Sequence, residues 1–410
     1  MSRIYLDNNA TTPVAPEVAE AMRPYLCEDF GNASSVHWFG QRAREAVEQA
    51  RDQVARLINA QPAEIVFTSG GTESDNAAVF GAVEAAPPRS PARPRHVIST
   101  PIEHPAVLYA LRALERRQVD VTYVPVGAGG VLDPADIERA LRPETVLITV
   151  MFANNEIGTL QPLAEIGRLA RERHIVFHTD AVQAVGKVPV DVEALGLDLL
   201  SLSAHKLYGP KGVGALYVRK GTRLEPLLHG GHHERDRRPG TENVPGIVGL
   251  GAAAELAART LGAEAARLAA LRDRLESGIL ARVENARVNG DPARRQPNTL
   301  NLAFGGVKGE SLVMALDLAG LACSTGSACA SGSVEPSHVL QALGLSGDQA
   351  RSSIRLSLGR YNTEAEIDAA LEVIPREVER LRALSPRYAT IGSAVTIASG
   401  DVARANTRVR

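Results

Sequence analysis

Cysteine is scarce in this chain, which has 3 in 410 residues. Cys27, Cys323 and Cys329 are unevenly placed, and none of them belongs to a Cys-x-x-Cys pair. Sparse cysteines of this kind are typical of proteins from a reducing compartment. A zinc or iron–sulfur module needs paired thiolates at close spacing. We therefore predict a cytoplasmic protein without a metal site of its own.

The chain also lacks an excess of charge and a long apolar run. Its 45 Lys and Arg side chains against 47 Asp and Glu give a net charge of -2, which argues against nucleic acid as the main partner. No apolar run approaches the roughly 20 residues that cross a bilayer. Residues 1–25 lack the basic and apolar blocks of a signal peptide. We expect neither a nucleic-acid nor a membrane partner.

Strand-like and helical patterns alternate along most of the chain. An alternation of this kind predicts an α/β fold with a mostly parallel sheet covered by helices on both faces. The predicted strands are 65–67, 96–99, 121–125, 146–151, 175–178, 199–202 and 214–218. The predicted helices are 17–26, 42–57, 77–83, 105–117, 134–141 and 163–173.

A second, smaller α/β domain is expected after a long alanine-rich helix at about 252–283. It would contain strands 299–303 and 353–358 and a helix at 364–381. The predicted division is an N-terminal segment 1–16 that packs with the small domain, a large domain 17–258, a small domain 259–386 and a surface tail 387–410. The proline-rich run 87–94 is predicted to be an exposed connection without a catalytic part.

Cys329 lies in a run of small residues, 321–332, that offers almost nothing bulky to bury a thiol. This composition favours a reactive sulfur on a loop. The alternative is a small buried hydrophobe, which is what a free cysteine usually is.

Lys206 and Asp180 stand at the ends of two predicted strands. In an open parallel sheet, strand ends of this kind line the ligand crevice. An enzyme that uses pyridoxal phosphate needs a lysine for the Schiff base and a carboxylate that keeps the pyridine nitrogen protonated. The pair is consistent with this cofactor, although a lysine on a loop is more often simply solvated.

The run 67–76 joins a short strand to a helix and contains Gly71 and Thr72. Glycines there would let backbone N–H groups approach an anion at the helix N-terminus, with Thr72 as a hydroxyl donor. An ordinary tight turn with a helix cap is the alternative. The run is neither a P-loop nor a dinucleotide fingerprint.

Taken together, these motifs resemble one family, the pyridoxal-phosphate cysteine desulfurases of the NifS/IscS group, class V aminotransferases that take sulfur from L-cysteine. The resemblance covers about residues 1–385 in the family's order. It rests on residues 5–12 (YLDNNATT), 30–35 (FGNASS), 68–76 (TSGGTESDN), 103–104 (EH), 153–158 (ANNEIG), 178–183 (HTDAVQ), 203–206 (SAHK), 358–361 (LGRY) and the loop around Cys329.

The resemblance implies a fold-type I enzyme with a seven-stranded sheet in its large domain and a homodimer. The run 230–243 and residues 384–386 are similar to the nitrogenase-associated NifS type. The chain's end lacks the acidic, histidine-bearing ending of the housekeeping IscS type. The implied physiological partner is an iron–sulfur scaffold of the NifU or IscU type, to whose cluster Cys329 would be a transient ligand.

The resemblance also implies a role for each site residue that binds the cofactor. Lys206 would hold the cofactor and move the substrate's α-proton. Asp180 would pair with the ring nitrogen, Gln183 with the phenolic oxygen, and His104 would stack on the ring and share proton transfers. The phosphate would be bound by Gly71, Thr72, Ser203 and His205, with Thr241 from the partner subunit.

Further roles concern the substrate. Asn155 would contact cofactor or substrate, and Arg360 would pair with the substrate carboxylate, since its planar fork matches two oxygens. Arg355 is expected to be structural or surface-facing. Cys329 would attack the substrate sulfur and carry it as a persulfide, leaving L-alanine. Cys323 would end a buried strand and be inert, or would form a disulfide with Cys329 and release sulfide.

Three alternatives remain open at this point. One is a lyase acting on selenocysteine or cystine, and another is a metal-binding module. The third is an inactive scaffold, which the presence of Lys206, Asp180 and Cys329 disfavours. An absorbance band from bound cofactor separates the enzymes from the scaffold and the metal module.

Overall fold

The computed structural model describes residues 3–87, 94–325 and 335–384. Cys329, most of the proline-rich connection and the C-terminal tail lie outside the described residues, and so do the expectations attached to them.

The strands are β1 (Ile4–Tyr5), β2 (Ile65–Thr68), β3 (His96–Ser99), β4 (Asp120–Tyr123), β5 (Thr145–Thr149), β6 (Val176–Asp180), β7 (Leu199–Ser203), β8 (Gly214–Val218), β9 (Ala286–Val288), β10 (Thr299–Phe304), β11 (Leu321–Ala322), β12 (Ser324–Thr325) and β13 (Ser353–Ser357). The helices are α1 (Pro16–Met22), α2 (Pro24–Cys27), α3 (Trp38–Leu57), α4 (Gly71–Ala85), α5 (Pro105–Glu115), α6 (Pro134–Ala140), α7 (Leu163–Glu172), α8 (Val244–Arg282), α9 (Gly309–Leu318), α10 (His338–Ala342), α11 (Gly347–Arg351) and α12 (Glu364–Ala383).

The large sheet has seven strands in the order β2-β8-β7-β6-β5-β3-β4. All neighbours in it are parallel except β8, which is antiparallel to both β2 and β7. Successive side chains of a strand enter opposite cores: Phe67 joins one apolar cluster and Val66 the other. Because both faces are buried, the strands read as continuous apolar runs, and the predicted doubly covered sheet is confirmed.

A smaller antiparallel sheet has the order β12-β13-β10-β9. It packs on α12, α9 and the second half of α8 in a separate apolar core. The N-terminal strand β1 pairs in parallel with β11, beside this second core. The predicted domain boundary at 258/259 falls inside α8, whose first half packs in the large core and whose second half packs in the small one.

Three of the predicted helices have different bounds in the structure. The helix predicted at 17–26 is two helices, because Pro24 has no N–H to continue the first. Helix α4 begins at Gly71, directly at the glycine turn. Helix α8 begins at Val244, earlier than predicted, although glycines disfavour a helix. Gly251 allows close packing there, since a Cβ on it would lie 2.6 Å from the Cα of Ala50 in α3.

Helix α8, 39 residues long, is by length and composition apolar enough to cross a membrane. Its most apolar stretch is 56% buried inside the protein, packed against α1 and α3. Burial of that kind is what a core helix needs, and it accounts for the apolar composition.

Candidate active site

The main cavity lies where four parallel strands end at the same edge of the large sheet. Its volume is about 230 Å³. Asp180 ends β6, Ser203 ends β7, Met151 follows β5 and His104 follows β3. This is the position at which open α/β sheets bind ligands. The lining consists of Asn9, Ala10, Gly71, Thr72, Asp75, His104, Met151, Asn155, Asp180, Val182, Gln183, Ser203, His205, Lys206 and Arg355.

Lys206 ends a short 3-10 turn, Ala204–Lys206, directly after β7. Its ammonium group donates hydrogen bonds to the backbone oxygens of Asn9, at 2.5 Å, and Ala10, at 2.6 Å. The backbone of Thr12 in turn donates to the carbonyl oxygen of His205. The N-terminal segment therefore covers the lysine and forms one wall of the cavity.

Asp180, His104 and Asp75 form a buried titratable cluster, with one ligand-type atom from each within 4.8 Å of the others. Burial raises the pKa of Asp180, opposed by the charges of His104 and Lys206. Burial also lowers the pKa of His104, which favours the neutral imidazole at neutral pH. Within the described residues, Asp180 Oδ1 accepts a hydrogen bond from the Val182 N–H at 2.9 Å, and Oδ2 accepts none.

Asp75 lies behind Asp180, in the second turn of α4. Its pKa is raised well above its ordinary value, first by burial and then by the negative charge of Asp180. Its buried Oδ1 has no hydrogen-bond partner among the described residues. A cationic or N–H-bearing group in front of Asp180 would relieve the repulsion between the two carboxyl groups.

The N-terminus of α4 forms an anion cradle with the turn after β7. Gly71 and Thr72 present the first turn of the helix to the cavity, opposite Ser203 and His205. A Cβ at position 71 would lie only 2.7 Å from Val182 Cγ2, so a glycine is required there. Burial, with the charge of Lys206 second, lowers the pKa of His205 to about 4, which leaves it neutral as a hydrogen-bonding group.

Gln183 and Asn155 lie on the cavity wall as the sequence predicts. Gln183 Nε2 donates to the backbone oxygen of Asn9 at 2.9 Å. The backbone oxygen of Asn155 accepts from Asn9 Nδ2 and Arg355 Nη1, which ties three parts of the chain together. These contacts hold the Gln183 side chain and the Asn155 backbone at the cavity, and the side-chain amide of Asn155 takes part in none of them.

Two arginines near the site do not lie where the sequence predicts, because Arg355 borders the main cavity and Arg360 does not. Arg360 lines a separate cavity of about 30 Å³, where its Nη2 donates to Thr260 Oγ1 and its Nε lies 3.7 Å from Glu264. Arg355, expected to be structural or surface-facing, is 1% exposed and borders the main cavity. The prediction that Arg355 could face the surface is therefore wrong, because the side chain is buried. Side chains alternate along β13, and Arg355 falls on its buried, cavity-side face.

Thr241 and the cysteines complete the predicted set. Thr241 is exposed and is not part of its own chain's main cavity. Cys329 lies outside the described residues. Cys323 is buried, and burial raises its pKa to about 12, in agreement with an inert thiol. The helical pattern at 17–26 predicts that the adjoining Cys27 is packed, and this is wrong, because Cys27 is exposed at the end of α2.

The donor set fits pyridoxal phosphate better than a metal ion. Two carboxyl groups and a histidine could ligate a cation, but the ammonium group of Lys206 shares the cavity and would repel it. A lysine, a buried carboxylate with a free oxygen and a glycine-lined helix N-terminus match the aldehyde, ring nitrogen and phosphate of the cofactor.

The sequence patterns missed Asn9, Ala10, Asp75 and Arg355 as wall residues. Each belongs to a run that carries the family resemblance or adjoins one, but no local pattern distinguishes a wall residue from a turn or core residue. Asn9 and Arg355, for example, approach Asn155 from 146 and 200 positions away along the chain. A signal at such separations exists only in the folded chain.

The chain belongs to the aminotransferase class-V family, because the sequence model of that family matches residues 4–370. Proteins of this family use pyridoxal phosphate, and the site described above has the residues for it. The predicted family, fold class and cofactor are confirmed.

Within that family the chain is similar over nearly its whole length to cysteine desulfurases. It is 53% identical to the cysteine desulfurase of Trichormus azollae over 386 residues, 94% of this chain and 95% of the relative. It is 52% identical to the cysteine desulfurase IscS of Anaeromyxobacter dehalogenans, covering 96% of this chain and 97% of the relative. A solved NifS-like protein superposes with a TM-score of 0.86 at 40% identity, covering 92% of this chain and 100% of that one.

Proposed function

We propose that this protein is a cysteine desulfurase that converts L-cysteine to L-alanine and carries the sulfur away as a persulfide on Cys329. The observation that carries the proposal is the convergence of Lys206, His104 and Asp180 with an anion cradle in one cavity that Arg355 also borders. The names of the relatives support the same reaction.

The cavity residues would hold the cofactor at both of its ends. Gly71, Thr72, Ser203 and His205 would bind the phosphate, and Asp180 would face the ring nitrogen. When bound through Lys206, pyridoxal phosphate withdraws electrons from the substrate's α-carbon. The neutral form of His104, favoured by its lowered pKa, can accept a proton at neutral pH and return it.

Arg355 is the better candidate for the substrate carboxylate than Arg360. Its Nη1 and Nη2 are bonded to Asn155 O and Asp7 Oδ1, while its buried Nε has no partner among the described residues. A buried cationic group with an unused donor is suited to an anion that enters the cavity. Nε of Arg360 is also without a hydrogen-bond partner among the described residues, but Arg360 lines the separate cavity, so the position of Arg355 at the main cavity decides between them. The predicted role thus passes from Arg360 to Arg355 as part of the proposal.

The sulfur transfer needs no outside oxidant. The Cys329 thiolate attacks the substrate sulfur, the S–S bond of the persulfide forms, and the carbon–sulfur bond breaks with its electron pair left on carbon. The β-carbon then takes one proton, equivalent to that of the substrate thiol, and the α-carbon regains the proton that Lys206 removed before the attack, which gives L-alanine. Lys206 and His104 are the groups in the cavity that can deliver these protons.

The decisive experiment is the intact mass of purified protein after a brief incubation with L-cysteine, with alanine measured in the same tube. In a single turnover we expect the wild-type protein to gain one sulfur atom and to release one alanine. We expect Cys329→Ala to gain no sulfur and to release no alanine. Persulfide that persists on Cys329→Ala would move the sulfur carrier to another cysteine. A wild type that forms neither alanine nor persulfide would sink the desulfurase assignment.

A homodimer is part of the proposal, because Thr241 is exposed and does not line its own chain's main cavity, yet matches the family's phosphate-binding threonine. Two ion pairs hold the loop that precedes it: Arg51 with Glu234 at 2.8 Å and Arg238 with Glu73 at 2.8 Å. These contacts would fix the loop for a partner subunit.

The sulfur acceptor we propose is an iron–sulfur scaffold of the NifU or IscU type, in the cytoplasm. The run 230–243 favours a nitrogenase-associated role, with the housekeeping role as the alternative. The relatives quoted above do not separate the two roles, because one is named only as a cysteine desulfurase and the other as an IscS, at 53% and 52% identity. Deletion of the gene in its host separates the roles: loss of nitrogenase activity alone supports the first, and a general loss of iron–sulfur enzymes supports the second.

A further inference from the structure

Lys187 is a buried ammonium group close to the active site that the reaction described above does not use. It lies four residues after Gln183 in the turn that follows β6. Its Nζ donates to Gln183 Oε1 at 2.9 Å and to the backbone oxygen of Gln183 at 3.1 Å. The Lys187 ammonium group therefore binds both the backbone oxygen and the side-chain amide oxygen of Gln183.

The amide of Gln183 is polarised in one direction by its neighbours. The Lys187 ammonium group can only donate, and the backbone oxygen of Asn9 can only accept. Gln183 Oε1 must then face Lys187, and Nε2 must face Asn9. One N–H of the amide remains for the cavity, so Gln183 presents a donor there and not an acceptor.

The same contacts connect Lys187 to the reactive lysine. The Asn9 oxygen that accepts from Gln183 also accepts from Lys206 Nζ. Lys187 and Lys206 further share the small cavity of about 30 Å³ with Arg360 and Glu264. Burial, followed by the positive charges of Lys206 and Arg355, lowers the pKa of Lys187 to about 7.

The turn is built to bring Lys187 inward. Gly186 has a φ of +76°, and a Cβ on it would lie 2.4 Å from Leu207 Cδ2. Gln296 Nε2 donates to the backbone oxygen of Gln183 from the opposite side. These contacts fix the backbone of the turn, and the Lys187 side chain in it is directed towards the Gln183 amide.

From these contacts we infer that Lys187 is a positioning residue: it orients the Gln183 amide so that its N–H group faces the phenolic oxygen of the cofactor, and its charge favours the anionic form of that oxygen. This inference rests on the proposed function, because it requires the cofactor. Lys187 itself does not touch substrate or cofactor in this role.

The test compares Lys187→Met, which removes donor and charge, with Lys187→Arg, which keeps both. Lys211→Met is the matched control, because Lys211 is exposed and also lies close enough to lower the pKa of His205. For each variant, cofactor affinity is titrated at pH 6, where Lys187 is charged. The pH midpoint of the visible absorbance band of the bound cofactor is then measured.

We expect Lys187→Met to weaken cofactor binding roughly tenfold, the effect of losing one hydrogen bond to a charged group. The pH midpoint of the band should rise, because removing a positive charge and a correctly placed donor both favour the protonated chromophore. Lys187→Arg should recover much of both effects, and Lys211→Met should match the wild type. An unchanged affinity and midpoint in Lys187→Met would overturn the inference.

A double-variant cycle separates positioning from a general loss of structure. If Lys187 acts through Gln183, Lys187→Met combined with Gln183→Ala should bind the cofactor no more weakly than Gln183→Ala alone. Additive losses would overturn the inference, including the case in which Lys187→Met merely destabilises the fold. A wild type with no absorbance band would instead refute the proposed function.

Discussion

Arg355 Nη2 lies 2.8 Å from Asp7 Oδ1, an ion pair that joins β13 to the N-terminal segment across 348 positions of the chain. Asp7 Oδ1 also accepts from Ser324 Oγ at 2.8 Å, in β12. The guanidinium group proposed for the substrate carboxylate is therefore held by the small sheet and the N-terminal segment together. Its orientation towards the cavity depends on both.

Arg355→Lys should raise the KM for L-cysteine by about 100-fold, because a point charge cannot replace a buried guanidinium fork that is fixed by hydrogen bonds at two nitrogens and leaves Nε for the substrate. Steady-state alanine production measures it. Arg360→Lys is the matched control, and we expect it to change KM by less than about threefold, since Arg360 lies outside the main cavity. A larger rise in KM for Arg360→Lys than for Arg355→Lys would show that Arg360, and not Arg355, binds the substrate carboxylate.

Gly71→Ala should weaken cofactor binding by about tenfold or more, because the added methyl group meets Val182 Cγ2 at 2.7 Å and displaces the first turn of α4. Equilibrium titration followed by absorbance measures the affinity. Gly262→Ala is the control: position 262 has open space in α8, where alanine should stabilise the fold by about 0.5–1 kcal/mol. Equal affinity in wild type and Gly71→Ala would contradict the cradle.

Cys323→Ala should form the persulfide as the wild type does. Burial raises the pKa of Cys323 to about 12, so at pH 7 the group stays a thiol and not the reactive thiolate. Intact mass and alanine yield after one turnover are the measurements, with Cys329→Ala beside it. Release of free sulfide by the wild type that is lost in Cys323→Ala would show instead that Cys323 attacks the persulfide.

Glu103→Gln should make the stability of the protein less dependent on pH. Burial raises the pKa of Glu103 from 4.5 to about 8, so the folded protein keeps a proton there that the unfolded chain loses. This contribution is present in full below about pH 4.5 and is lost as the pH rises through about 8.

The neutral amide of Glu103→Gln has no such loss, so its free energy of unfolding should fall less than that of the wild type between these pH values, by about 3 kcal/mol as an order of magnitude. Denaturant unfolding at pH 5 and pH 8.5 measures the difference. Glu165→Gln on the exposed side of α7 is the control. Parallel wild-type and Glu103→Gln profiles would show that Glu103 is ionised in the folded state.

A mixed dimer should test whether Thr241 serves the partner subunit. In a heterodimer of Lys206→Ala with Thr241→Val, one site combines the intact Lys206 of one subunit with the intact Thr241 of the other. We expect this site to bind cofactor with wild-type affinity at half the stoichiometry. If Thr241 instead acted in its own subunit, each mixed site would carry one defect, and no site of wild-type affinity would appear.

Much of the architecture is determined by the sequence locally. The bounds predicted for β3 and β8 agree with the structure, because strands that are buried on both faces leave unbroken apolar runs between turn residues. Lys206 and Asp180 could be placed at strand ends for the same reason. The glycines of the 67–76 run marked the turn between β2 and a helix, although the helix is predicted only from residue 77 and α4 begins at Gly71.

The tertiary structure decided which of two arginines, five residues apart, borders the cavity, and it brought Asn9 and Ala10 over Lys206. It also oriented Gln183 through Lys187 and placed Asp75 behind Asp180. Each of these depends on side-chain direction and on contacts between distant parts of the chain. A periodic pattern reports which face of an element is buried, whereas the neighbour that a buried polar group meets is fixed only when the two cores and the N-terminal segment pack together.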